Sequence, residues 1–145
     1  MRIEGGFTII ELLLSLAIIG VLLMVSPLAF GSFQEKHQID FALQTSLQAL
    51  RSAQIQSQAV ENDQRWGVFF QNGSVTVFQG SSYATRNSAF DQEQQIASQV
   101  IVGGLLEVVY DKLTGQPQTT GTITFETTHE NRFITLLEKG AVQYE

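Results

Sequence analysis

Gly6-Phe7-Thr8-Ile9-Ile10-Glu11-Leu12-Leu13-Leu14-Ser15-Leu16-Ala17-Ile18-Ile19-Gly20-Val21-Leu22-Leu23-Met24 opens the longest apolar run of the chain. Residues 12–34 carry no charge. At about 1.5 Å per helical residue, that run is long enough to cross a hydrocarbon core of about 30 Å. A polar leader ending in Gly5-Gly6 precedes Phe7, and one carboxylate, Glu11, sits inside the apolar run just before the uncharged stretch. An acid at the centre of a spanning helix costs about 2.5–3.5 kcal/mol on insertion scales, so Glu11 is expected to serve a function.

Further along the run, Pro27 removes one backbone hydrogen bond and crowds the preceding turn, which predicts a kink or loosening there. Gly20 and Gly31 soften the same region. A secretory signal peptide is the competing reading, with Ala29-Phe30-Gly31 as a small-x-small cleavage site and Ser32 as the new first residue. Against it, the run exceeds an apolar region of about 7–15 residues and contains Glu11.

From Gln34 the composition turns polar while the helical period continues. Ile39, Leu43, Leu47 and Leu50 form one stripe, flanked by Ala42, Ala49 and Ala53, with Gln, Ser and Asp opposite. This predicts a helix to about Val60, ended by Glu61-Asn62-Asp63. The pattern then changes to strands. Residues 65–70 and 74–78 flank Asn72-Gly73, a strong hairpin signal. A two-residue turn there pairs Phe70 with Val75 and Val68 with Val77, placing these four and Trp66 on one core-facing side. Phe69 and Phe78 fall on the other side and need cover. Residues 80–95 read as a long polar surface loop. Further strands are expected at 99–102, 105–110, 122–125, 132–137 and 141–144. The turns between them come from Gly103-Gly104, Thr114-Gly115-Gln116-Pro117 and Glu138-Lys139-Gly140, the last with glycine in the left-handed position. The predicted fold class is α+β, a long N-terminal helix packed on an antiparallel β domain.

Composition excludes several functions. Net charge is −6, and from Glu61 onward the count is 5 basic against 10 acidic residues. That balance argues against a general nucleic-acid binder, which needs basic surface to displace counterions, even with Arg132 and Lys139 near the C-terminus. Without cysteine there is no disulfide framework or thiolate site, and His37 and His129 are too few for a multi-histidine metal centre. Asp91/Glu93 and Asp63/Glu61 lack the dense ligand spacing of a calcium loop. No catalytic or nucleotide-binding motif is present, so neither an enzyme nor a cofactor is expected.

Gly6-Phe7-Thr8-x-x-Glu11 followed by an apolar helix resembles the class III signal of type IV prepilins and type II secretion pseudopilins. The resemblance implies cleavage after Gly6 by a prepilin peptidase and N-methylation of Phe7. It also implies an assembly role for Glu11, which would face the Phe7 ammonium of its own or a neighbouring subunit. Gly20 and Pro27 match the segment of such helices that loosens in the filament. The order of elements, with Ala49-Leu50-Arg51-Ser52-Ala53-Gln54 leading into the first strand, resembles the small H-type minor pseudopilins and their FimT-like pilus counterparts. The absent C-terminal disulfide also favours a minor over a major subunit, and the retained Glu11 argues against the tip pseudopilin.

The implied division is a leader at 1–6, a transmembrane and filament-core helix at 7–33, its amphipathic continuation at 34–62 and a β domain at 63–145. The implied partners are other pilin or pseudopilin subunits, the prepilin peptidase, an inner-membrane assembly platform and membrane lipid. The chain is expected in the inner membrane, with its N-terminus cytoplasmic and its C-terminal domain periplasmic or extracellular. The alternative is a single-pass anchored β domain that binds a ligand and does not polymerise.

Overall fold

A computed structural model describes residues 6–144, and of residues 24–33 the backbone only. The expected leader, apart from Gly6, therefore lies outside the described residues. The chain divides into two compact units, Met1–Gln34 and Glu35–Glu145. The helix α1 is assigned over Ile9–Gln58.

In the first unit the apolar side chains of α1 are open to solvent: Ile9 is 81 % exposed, and Leu12 through Leu14, Ile18, Ile19 and Val21 through Leu23 are all more than half exposed. Among the described residues, no helix is long and apolar enough to cross a membrane. The expected span at 7–33 includes residues 24–33, whose side chains lie outside the described ones.

In the second unit, α1 buries the stripe read from its spacing. Ile39, Ala42, Leu43, Leu47, Ala49, Leu50 and Ala53 all belong to one core cluster. Alanines at three of these positions let backbone approach closely, and the leucines and isoleucine fill the space between helix and sheets. α1 ends at Gln58, two residues before the expected stop. Val60 takes a left-handed conformation (φ 53°), and a 3-10 turn follows at Glu61–Asp63.

Among the described residues eight strands follow: β1 Trp66–Gln71, β2 Ser74–Gln79, β3 Gln92–Gln95, β4 Ile101–Gly104, β5 Glu107–Tyr110, β6 Gly121–Glu126, β7 Asn131–Leu136 and β8 Val142–Tyr144. They form two four-stranded antiparallel sheets, in the orders β3-β2-β1-β5 and β4-β6-β7-β8. The β1–β2 hairpin has the expected register, with Phe70 opposite Val75 and Val68 opposite Val77. Trp66, Val68, Phe70, Val75 and Val77 join the α1 stripe in the core, with Val102, Ile123, Phe125, Ile134 and Leu136 from the second sheet. At the tip only Gly73 takes a positive φ, 92°. A type I′ turn would need Asn72 there too. Asn72 instead turns its Oδ1 to accept the Val102 N–H at 2.8 Å, tying the first hairpin to β4.

Residues 80–95 depart from the expected loop. They form two 3-10 turns, Tyr83–Thr85 and Ser88–Phe90, and then β3 on the edge of β2. The periodicity of Gln92–Gln95 is invisible because every residue of it is polar and exposed. This segment supplies the cover that Phe69 and Phe78 required. Tyr83 stacks on Phe69 at 3.9 Å and meets Phe78 edge-on at 5.6 Å, and the Arg86 guanidinium lies 3.6 Å from the Tyr83 ring centre. Gly103 and Gly104, expected as a turn, are paired residues of β4. The last hairpin follows expectation: Glu138-Lys139-Gly140 connects the strands, with Gly140 at φ 74°.

Candidate functional site

The candidate site is the segment where α1 begins. Gly6, Phe7 and Thr8 are not helical, and Ile9 is the first helical residue. Thr8 caps the helix: its carbonyl accepts the Leu12 N–H at 3.2 Å and its Oγ1 accepts the Glu11 N–H at 3.4 Å. Thr8 and Glu11 thus occupy the first and last positions of a capping-box sequence, S/T-x-x-E. Ser15 Oγ donates to the Glu11 carbonyl at 2.8 Å. The role of Thr8 as a cap was not read from the sequence, although that four-residue signature would have shown it.

Glu11 is exposed, lies in the first turn and makes no ion pair among the described residues. A carboxylate there offsets the positive end of the helix dipole, a contribution of about 0.3–1 kcal/mol. Phe7 is 85 % exposed. A Cβ on Gly6 would meet nothing within 4 Å, and its φ is not positive. Nothing in the local fold therefore calls for glycine at position 6. The same holds for Gly20, inside α1. Pro27 also falls within α1, but its side chain lies outside the described residues.

The remaining residues singled out in the sequence sit in the second unit, and Asp63, Asp91, His129 and Arg132 each meet a partner of opposite charge or a carboxylate there. Asp63 accepts from Lys112 Nζ at 2.8 Å, and that hydrogen bond holds its carboxyl below the usual range. Asp91 pairs with Arg86 Nε at 2.8 Å, pushing the guanidinium further up. Arg132 lies between Glu130 (3.0 Å) and Asp40 (3.6 Å), Lys36 reaches Glu130 at 3.3 Å, and His129 reaches Glu35 at 2.9 Å. These contacts fasten the β6–β7 turn to the first turns of the unit's helix. Lys36, followed by Arg132, lowers the Glu130 pKa. Trp66 is a core residue, 1 % exposed, with its indole N–H donating to the Glu61 carbonyl at 3.2 Å.

The fold and this segment define a class: a pilin-like α+β arrangement, with an N-terminal helix packed on antiparallel sheets. The start of the chain matches the prokaryotic N-terminal methylation motif over residues 1–26, a motif typical of type IV pilins and pseudopilins. No match was found for the chain among curated proteins or among solved structures.

Proposed function

We propose that the chain is a minor subunit, pilin or pseudopilin, of a type IV pilus or type II secretion-type filament, of the H-type or FimT-like kind. It is held in the inner membrane as a precursor, cleaved between Gly6 and Phe7, methylated on the Phe7 nitrogen and drawn into the filament by its helix. Its activity is assembly and not catalysis. The observation that carries this reading is the register of the N-terminal motif on α1: Gly6 and Phe7 precede the helix in exposed, non-helical backbone, and Glu11 falls in its first turn.

Each residue then has a role with a physical cause. Gly6 has no conformational reason to be glycine in this fold, which leaves the peptidase pocket as the source of the requirement. Cleavage makes the Phe7 nitrogen an ammonium at the positive end of a helix, where Glu11 supplies the compensating charge. In lipid that attraction is strong, and pairing Glu11 with the Phe7 of a neighbour fixes axial register. Gly20 and Pro27 supply the loosening of the helix in the filament. The β domain faces outward and meets neighbouring subunits.

The test is the mass of the mature N-terminus after co-expression with a prepilin peptidase. A chain beginning at N-methylated Phe7 is expected, and Gly6→Val should accumulate as uncleaved precursor. A chain beginning at Ser32 would instead mean a secretory signal and would overturn the reading.

A further inference from the structure

We infer that the second unit carries a saccharide-binding site, in the dimple between the turn after α1, the end of β2 and the segment that folds over it. The dimple has a volume of about 420 Å³, within the range of small-ligand sites. Four of its seven lining residues carry carboxamides: Asn62, Gln64, Gln79 and Asn87. Thr85 adds a hydroxyl and Phe90 an aromatic ring; no lining residue is charged.

Three observations point to a ligand. First, three of the four carboxamides are unengaged and the fourth is engaged only through its oxygen. The side chains of Asn62, Gln64 and Gln79 make no hydrogen bond among the described residues, although Gln79 is only 4 % exposed. Asn87 uses its Oδ1 to accept the Ala89 N–H at 3.2 Å, which leaves its amide donors open. Second, Phe90 is 41 % exposed, and its ring meets the buried Trp66 edge-on at 6.5 Å. Third, the walls are held by backbone. Gly80 N donates to the Arg65 carbonyl at 2.9 Å and Asn87 N to the Gln79 carbonyl at 3.1 Å. Gly80 holds a φ of 146°, and a Cβ there would come within 3.1 Å of the Arg86 Cα, so glycine eases the close approach of the covering segment.

The chemistry of this lining selects its ligand. A carboxamide offers a donor and an acceptor side by side, the complement of two neighbouring hydroxyls. An exposed aromatic face takes the apolar C–H side of a sugar ring. With no cation in the lining, a phosphate or nucleic acid gains nothing there. A neutral, polyhydroxylated ring fits both the polar rim and the ring of Phe90. Both amino-sugar glycans and plain glucans present it. This inference does not rest on processing or filament assembly.

The experiment is a titration of the full-length, isotope-labelled chain in phosphocholine micelles, which contain no sugar. Chitotriose represents the N-acetylated glycans; cellotriose and maltotriose represent the plain glucans. The side-chain amide signals of Asn62, Gln64, Gln79 and Asn87 and the indole N–H of Trp66 should move with one of these, at a Kd of about 1 mM. Phe90→Ala should weaken that response about tenfold. Gln64→Ala, at an exposed position with no side-chain partner, should weaken it without altering the rest of the spectrum. Phe41→Ala, on the exposed face of α1, should leave it intact. Shifts with chitotriose alone assign the amino-sugar class, and shifts with either glucan assign the plain class. The inference is overturned if no sugar moves these signals at about ten times that concentration, or if the shifts persist unchanged in both Phe90→Ala and Gln64→Ala.

Discussion

At the scale of single residues, two positions carry most of the argument, and the sequence exposed only one of them. Glu11 stands out because an acid interrupts an uncharged run. Under the proposed function, Glu11→Val should insert, be cleaved and remain stable, yet be absent from sheared filaments; wild-type assembly of this variant would remove the carboxylate from the assembly step. Ser57 does not stand out, although it falls seven residues after Leu50 on the buried stripe. It is fully buried, accepts the Trp66 N–H at 2.9 Å and lies 3.3 Å from the carbonyls of Trp66 and Tyr110. One hydroxyl thus joins α1, β1 and β5. Ser57→Ala should cost about 1–3 kcal/mol, because it strands a buried N–H. For a domain of this size that lowers the melting temperature by about 4–8 °C per kcal/mol, which calorimetry would read directly. A periodicity argument treats a serine on an apolar stripe as an interruption; only the partners brought by the fold show what it does.

At the scale of elements, the first hairpin was legible down to its register, since two alternating apolar runs around Asn72-Gly73 admit few pairings. The function of Gly67 inside β1 was not legible. It sits opposite Phe78, and a Cβ there would come within 2.6 Å of the Phe78 ring and 2.7 Å of the Val108 carbonyl. The ring lies across the glycine on the outer face of the sheet, where Tyr83 then covers it. Gly67→Ala should therefore destabilise by about 1–3 kcal/mol through overpacking, even though alanine suits a strand better than glycine in general. A melting temperature equal to wild type would show that Phe78 can move aside at no cost. The strand in the segment after β2 was not legible for a related reason. β3 gains its strand character from the free edge of β2, and its four polar residues hold no pattern of their own.

At the scale of the whole molecule, the two units raise different questions. The second unit closes its helix against the β6–β7 turn with the contacts among Glu35, Lys36, Asp40, His129, Glu130 and Arg132. The Glu130 pKa is lowered in the folded state, first by Lys36 and then by Arg132. Its contribution is therefore complete above the unfolded glutamate value of about 4.3 and is lost as pH falls through the lower folded value. The melting temperatures of wild type and Glu130→Gln should differ at about pH 6 and draw together as pH falls below the unfolded glutamate value. A gap that stays constant across that range would show that the Glu130 charge does not act through these contacts. What the sequence determined by itself was local: the N-terminal motif, the helical stripe and the first hairpin. Each depends on neighbours within a few residues, and on the 3.6 or 2 residue period that carries side chains to one face. What the tertiary structure alone decided was the division into two sheets, the third strand on the edge of β2, the buried link at Ser57 and the amide-lined dimple beside Phe90. These bring together residues far apart in the chain, chosen by packing volume and unmet hydrogen bonds, and neither quantity is written in the spacing of any one segment.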